Sequence, residues 1–178
     1  MVNILLRPAV ANDLEILWEF QAMAAYEPNV AAAKALPIVA TYLDGWQRPD
    51  DFGFIAERDG SAIGATFARQ FTPGANDAYY CVERTPELSI GVRPGARGQG
   101  IGEMLMRAVI AEATGRGLGL CLNVRSTNPA RRLYERLGFH AVSGMTVTNR
   151  VGGLSLWMAL SAKSQQTTPP APPGHGAA

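Results

Sequence analysis

Arg97-Gly98-Gln99-Gly100-Ile101-Gly102 falls where an apolar run, Glu87 to Val92, has ended and a helical pattern begins. Backbone N–H groups at such a junction are free and lie at the positive end of the helix dipole, which suits phosphate. Gly98, Gly100 and Gly102 carry no Cβ to hold a diphosphate off the main chain, and Arg97 can add a charge-assisted contact. The plain alternative is a glycine-rich turn. Two other phosphate loops fit worse. A nucleotide-triphosphatase loop ends in Gly-Lys-Ser/Thr, whereas Gly102 is followed by Glu103 and Met104; a dinucleotide fingerprint started at Gly98 requires glycine at Glu103. His140 and His175 have no serine or cysteine motif around them, so a nucleophilic triad has little support. Cys81 and Cys121 form no C-x-x-C and read as buried thiols, with no metal site implied.

These residues have to be positioned by a fold. Ile4 to Arg7 reads as a strand stopped by Pro8, and Asn12-Asp13 offers an N-cap for a helix carrying Leu14, Leu17, Trp18 and Phe20. Ala22 to Trp46 is Ala-rich and interrupted by Pro28 and Pro37, giving a bent helix or two helices. Phe52 to Glu57 and Ala62 to Phe71 flank Asp59-Gly60, a hairpin signal. Pro73-Gly74 and Asn76-Asp77 mark a loop before the strand Glu87 to Val92. In the next helix Ile101, Leu105, Ala108 and Glu112 share a face, Glu103 and Arg107 pair outward, and Gly115 and Gly117 end it. Leu118 to Val124 is a strand. Asn128-Pro129 caps a helix with the stripe Ala130, Leu133, Tyr134, Leu137, stopped by Gly138. His140 to Leu160 reads as two strands around residues 149–153. The order β-α-α-β-β-β-α-β-α-β-β is α+β, with a hairpin before a β-α-β crossover that makes two strands parallel in an otherwise antiparallel sheet.

Composition bounds the partners. The chain has 178 residues, 47% hydrophobic, enough for one domain. Sixteen Lys and Arg against 15 Asp and Glu leave no field of one sign for nucleic acid or an anionic membrane. No run reaches the roughly 18 apolar residues of a membrane span, and the first residues lack a secretory pattern, so the expectation is a cytoplasmic protein. From residue 161 to 178 Gln, Thr, Pro, Gly and Ala dominate, and a disordered tail is expected.

Arg97-x-x-Gly100-x-Gly102 resembles the Q/R-x-x-G-x-G/A signature of the GNAT acetyltransferases, whose loop amides bind the pyrophosphate of acetyl-CoA. Glu87-Leu88-Ser89-Ile90-Gly91-Val92 resembles that family's fourth strand, and Asn128 to Phe139 its N-x-x-A-x-x-L-Y-x-x-x-G-F segment. The likeness is specific over about 50 residues and fits the order of elements from Ile4 to Leu160. It implies a domain over residues 1–160 with a mixed, mostly antiparallel sheet of about seven strands flanked by helices, and a splayed parallel pair that holds the cofactor. Cofactor contacts are implied for Ile90, Gly91, Val92, Arg97, Gly98, Gln99, Gly100, Ile101, Gly102, Asn128 and Tyr134. The implied activity is direct transfer of acetyl from acetyl-CoA to a primary amine of a small molecule, a peptide N-terminus or a lysine. A silent acyl-CoA-binding module of the same fold is the alternative. No metal is implied, and a homodimer is left open.

Acyl transfer needs a neutral amine, a polarised carbonyl and a proton for the departing thiolate. Alternation places Glu87, Ser89 and Gly91 on one strand face and Leu88, Ile90 and Val92 on the other. Glu87 is then the general-base candidate, directly or with water as the base, against the alternative of an ordinary strand-end carboxylate. The resemblance gives Tyr134 the proton for sulfur, whereas spacing alone makes it a core tyrosine. The resemblance also puts the acceptor groove between Ala22 to Trp46 and Met145 to Gly153, where Trp18, Tyr26, Tyr42, Asp44 and Trp46 are candidates for its lining, although aromatics at helical spacing are more often core.

Overall fold

Asp59 and Gly60 both take left-handed backbone, with φ of +51° and +75°, as a two-residue turn between twisted strands demands. They join β2 (Phe52–Arg58) to β3 (Ser61–Arg69), the central hairpin of the computed structural model, which describes residues 3–72 and 82–162. β1 (Ile4–Pro8) adds to β2 and β4 (Glu87–Val92) to β3, both antiparallel. β5 (Leu120–Arg125), β6 (His140–Thr148) and β7 (Leu154–Leu160) complete a seven-stranded sheet in the order β1-β2-β3-β4-β5-β7-β6. Only β4 and β5 run parallel among these pairs, and they meet at a single register position, Glu87 opposite Cys121. The mixed sheet with one splayed parallel pair is the one expected from the sequence.

Both faces of the sheet are covered. α1 (Leu14–Ala24), α2 (Val30–Lys34) and α3 (Pro37–Ala40) pack Leu17, Phe20, Val39 and Leu43 on Ile55, Ala65 and Phe67. On the opposite face α4 (Ile101–Gly115) and α5 (Arg131–Arg136) press Met106, Val109, Tyr134 and their neighbours onto Leu88, Leu122, Val124 and Met158. The buried row of α4 is Ile101, Leu105, Val109 and Ala113, with Met106 beside it. That row steps by four residues, whereas Ala108 and Glu112 were expected on it; Glu112 instead faces outward and pairs with Arg116 at 2.8 Å. Gly117, at φ +67°, closes α4, and Leu118 is spent on that closure, its N–H donating to the Ala113 carbonyl at 2.8 Å. β5 therefore begins two residues later than its apolar pattern suggests.

Two further departures have local causes. Asp13 does not cap α1; its carboxylate turns back to accept from the Val10 N–H at 2.8 Å and from both Arg7 Nη atoms at 2.7 and 2.8 Å. The Arg7 hydrogen bonds hold Asp13 below its usual pKa. The Ala-rich stretch breaks into two short helices because Asn29 caps α2 by accepting from the Ala32 N–H, and Pro37 opens α3. Cys121 is fully buried. Cys81, the Pro73-Gly74 and Asn76-Asp77 loop, His175 and the expected tail from residue 163 onward lie outside the described residues. Among the described residues no helix is long and apolar enough to cross a membrane.

One buried ion pair ties the helical layer to the sheet. Arg69 donates to the Asp51 carboxylate at 2.6 Å and to the carbonyls of Thr41 and Asp44 at 2.7 and 2.8 Å, with both charged side chains almost wholly enclosed. Replacing Arg69 by Met strands Asp51 and should cost about 3–5 kcal/mol, read from urea unfolding. Asp13 gives a second expectation. Its depressed pKa contributes stability above the ordinary aspartate value of 3.8, lost as pH falls through the folded value. Asp13→Asn should therefore flatten the acid limb of the stability–pH curve below about pH 4.

Candidate active site

β4 is shared between two neighbours, and its pairing decides where its amides point. The Arg93 N–H donates to the Ile63 carbonyl at 2.9 Å, so in the antiparallel alternation Gly91, Ser89 and Glu87 exchange bonds with β3. The main-chain groups of Leu88, Ile90 and Val92 then face β5. Near the start of β4 the two strands still touch: Cys121 donates to Pro86 at 3.0 Å and Gly119 to Arg84 at 2.9 Å. Beyond Glu87 no further register pair forms, and the polar main chain of Ile90 and Val92 faces a widening gap. The Val92 carbonyl accepts from Arg97 Nε at 3.1 Å. Gly91 is a packing glycine, since a Cβ there would lie 2.7 Å from the Phe20 carbonyl oxygen of α1.

The glycine loop sits at the wide end of that gap. Gly98 and Gly100 have φ of +72° and +81°, and a Cβ added to either would meet nothing within 4 Å. α4 starts without any side-chain cap, so the amides of its first turn keep no intrahelical partner. With Arg97, Gly102, Leu133 and Arg136 these glycines line a hollow of about 300 Å³. Ile101 belongs to the core beneath it, 1% exposed. Gln99 is turned away: it donates to the Gly95 carbonyl at 2.9 Å and accepts from Arg58 at 2.6 Å, which braces the turn. Cβ-free backbone, uncapped amides and a nearby guanidinium are a donor set suited to a diphosphate.

A second cavity, about 370 Å³, is lined by side chains from both faces of the sheet, and so runs through the gap. From one face comes Glu87, 1% exposed, which accepts a hydrogen bond from the Tyr42 hydroxyl. Beside it Ser89 Oγ donates to Gln21 Oε1 at 2.6 Å. From the other face comes Tyr134, 6% exposed, its pKa pushed up to about 12 by burial first and by Tyr26 second. Asn128 Oδ1 accepts from the Ala130 N–H at 2.9 Å, forming a turn ahead of α5 whose N-cap is Ala130 and not Asn128 as expected, while its Nδ2 donates to the Tyr26 hydroxyl at 3.1 Å.

Tyr26 and Tyr42 line this cavity, and the β6–β7 turn reaches it through Thr148, Asn149 and Arg150. Trp18 and Trp46 belong to the packing between α1–α3 and the sheet, and Asp44 offers its carbonyl to Arg69 and Arg48. Asn123, Arg125 and Trp157 also line the cavity and were not anticipated. A signal existed: alternation along β5 puts Cys121, Asn123 and Arg125 on one face, and the Glu87–Cys121 pairing makes it the Glu87 face.

A sheet parted at its parallel pair, with a glycine turn feeding the helix behind it, is the architecture of the acetyltransferases that the sequence resembles. The chain belongs to that family: the model described as the acetyltransferase (GNAT) family matches residues 14–139. Among solved structures it is similar to an N-acetyltransferase from Staphylococcus aureus Mu50 (TM-score 0.69, 24% identity, covering 90% of this chain and 99% of that one). It is also similar to yncA from Salmonella typhimurium, solved with its cofactor acetyl-CoA (TM-score 0.70, 23% identity, 98% and 99% covered). In sequence it is 36% identical over 88 residues to the mycothiol acetyltransferase of Thermomonospora curvata, a match covering 48% of this chain and 27% of that protein. The chain therefore spans only about a quarter of that relative.

Gly100→Val would fill the cradle and force a β-branched residue into left-handed backbone. Acetyl-CoA affinity should fall by about ten-fold or more, measured by calorimetry on protein whose circular dichroism is unchanged. Unaltered affinity would mean that the loop serves another purpose.

Proposed function

We propose that this chain is an N-acetyltransferase that moves acetyl from acetyl-CoA to a primary amine by direct attack in a ternary complex. The observation that carries the reading is the cavity through the β4–β5 gap, with the Glu87 carboxylate on one side and the Tyr134 hydroxyl on the other. When bound, acetyl-CoA supplies an activated thioester carbonyl and departs as a thiol. The amides of Gly98, Gly100 and Gly102, with Arg97, would hold its diphosphate. The main chain of Ile90 and Val92 would take the pantetheine arm as sheets take an added strand, with Asn128 nearby.

The remaining chemistry belongs to the protein. An alkyl amine with pKa near 10 is mostly protonated at neutral pH, so Glu87 takes its proton, directly or through a water. The Ile90 or Val92 N–H is a backbone donor available to the carbonyl oxygen as charge develops. Tyr134 keeps its proton across the physiological range because burial raises its pKa to about 12, and so has one to give the leaving sulfur. Acceptors in scope are small-molecule amines, peptide N-termini and lysines. The mycothiol acetyltransferase likeness supports acetyl transfer, but its short coverage singles out no acceptor.

Release of free thiol from acetyl-CoA with a panel of amines tests the reading directly; binding without amine-dependent release would favour a silent acyl-CoA sensor. Tyr134→Phe should lower kcat by about ten-fold or more with little change in acetyl-CoA affinity. The raised pKa fixes the pH window: the phenol stays neutral below its ordinary value of 10.0 and ionises only towards about 12. An alkaline fall in kcat well below pH 10 that disappears in Tyr134→Phe would contradict the assigned role.

A further inference from the structure

Among the described residues, three charged side chains line the cavity through the sheet: Glu87, Arg125 and Arg150. Arg150 is committed. It pairs with Glu27 at 2.6 Å and donates to the Ala25 carbonyl at 2.9 Å, pinning the turn after α1 to the β6–β7 turn. Arg125 is not: among the described residues its guanidinium has neither a carboxylate nor a carbonyl partner. What holds it is Tyr26, whose ring centroid lies 3.6 Å from the guanidinium carbon. Tyr26 is itself fixed in left-handed backbone at φ +60°, a costly conformation for a tyrosine, with its hydroxyl accepting from Asn128. A guanidinium held by one face keeps its edge N–H groups for something else, and that edge matches a carboxylate in two-point geometry.

The wall around Arg125 is also rich in donors. Trp157, paired with Asn123 across β5 and β7, is 3% exposed, and among the described residues its indole Nε1 has no hydrogen-bond partner. Among the described residues Glu87 is the carboxylate of the cavity, and it lies towards the other end, where β4 and β5 still touch. Glu87 is level with Cys121, and Arg125 is four residues further along β5, about 13 Å at the usual rise per residue. Both side chains belong to one face of the sheet, so a ligand that touches both lies along that interval.

Resting on the transfer reading above, we infer that the acceptor is a small amine bearing a carboxylate, an amino carboxylic acid, with Arg125 holding the carboxylate while the amine faces Glu87. The opposite charges orient such a molecule with its nitrogen towards the gap. A polyamine would put a cation against Arg125 and is disfavoured. Arg125 is a specificity residue here and takes no part in bond making.

The test compares L-amino acids and short ω-amino acids, each against its own carboxamide, which keeps the amine and removes the negative charge. Binding to protein saturated with CoA is read by calorimetry, and transfer by thiol release. The free acid of at least one pair should bind and react about ten-fold or more better than its amide, in line with a charge-assisted contact. Whether α- or ω-amino acids win sets the length of the span. Arg125→Gln should bring acid and amide to near equality, and Arg125→Lys should restore part of the preference.

Amides or simple amines used as well as acids would overturn the inference while leaving the transfer reading intact. So would an acid preference that survives in Arg125→Gln. Selective binding of acids without thiol release would uphold the carboxylate site and sink the transfer reading instead. If Arg125→Gln does not fold, the wild-type comparison of acids and amides decides alone.

Discussion

Two parallel strands that bond at one position and then diverge impose the constraint on which this molecule turns. A strand inside a sheet normally satisfies its N–H and C=O groups on both sides; β4 does so along its length only towards β3, and meets β5 at one position. Its other edge, at Ile90 and Val92, is polar main chain facing a cavity whose walls are largely side chains. Such an edge is a template for an extended ligand. Because the gap passes through the sheet, groups on opposite faces can act on one molecule within it, which a closed sheet would forbid.

The rest of the fold keeps that gap open and shaped. α1 lies so close to β4 that residue 91 has to be glycine, and its Gln21 bonds Ser89. The buried Arg69–Asp51 pair fixes the segment after α3, from which Tyr42 reaches Glu87. On the far side α4 and α5 seat Tyr134 against Phe139 and the sheet, so the hydroxyl sits in a low-dielectric wall that favours its neutral form. The β6–β7 turn is organised by Asn149, whose Oδ1 accepts from the N–H groups of Val151 and Gly153, and is clasped to the turn after α1 through Arg150. That end of the cavity is thus built from segments more than a hundred residues apart.

Much of this was legible beforehand. Asp59-Gly60, the glycines of the loop, Asn128-Pro129 and the alternation along Glu87 to Val92 are local signals, each dictated by backbone sterics or by side-chain period over a few residues. The misreadings are local patterns overruled by partners elsewhere. Asp13 reads as a helix cap until Arg7 draws its carboxylate back. Trp18 and Trp46, by contrast, stood between groove and core with their spacing favouring the core, and packing with α1–α3 on the sheet puts them there. Ala108 and Glu112 share a face with Ile101 and Leu105 at one helical spacing, yet the row the sheet buries continues through Val109 and Ala113.

The sequence by itself determined the hairpin, the order of strands and helices, the glycine turn and the strand face that carries Glu87. These follow from chain-local geometry, in which residues within one helical turn or strand pleat constrain each other; Tyr134 was singled out by the family resemblance, since its spacing alone made it a core tyrosine. Only tertiary structure decided that Glu87 accepts from Tyr42, that Gly91 answers to Phe20, and that Arg125 lies on Tyr26 with no carboxylate partner among the described residues. Contacts between residues so distant in sequence are set by how closed layers pack and where the parallel pair parts, and no local rule fixes either.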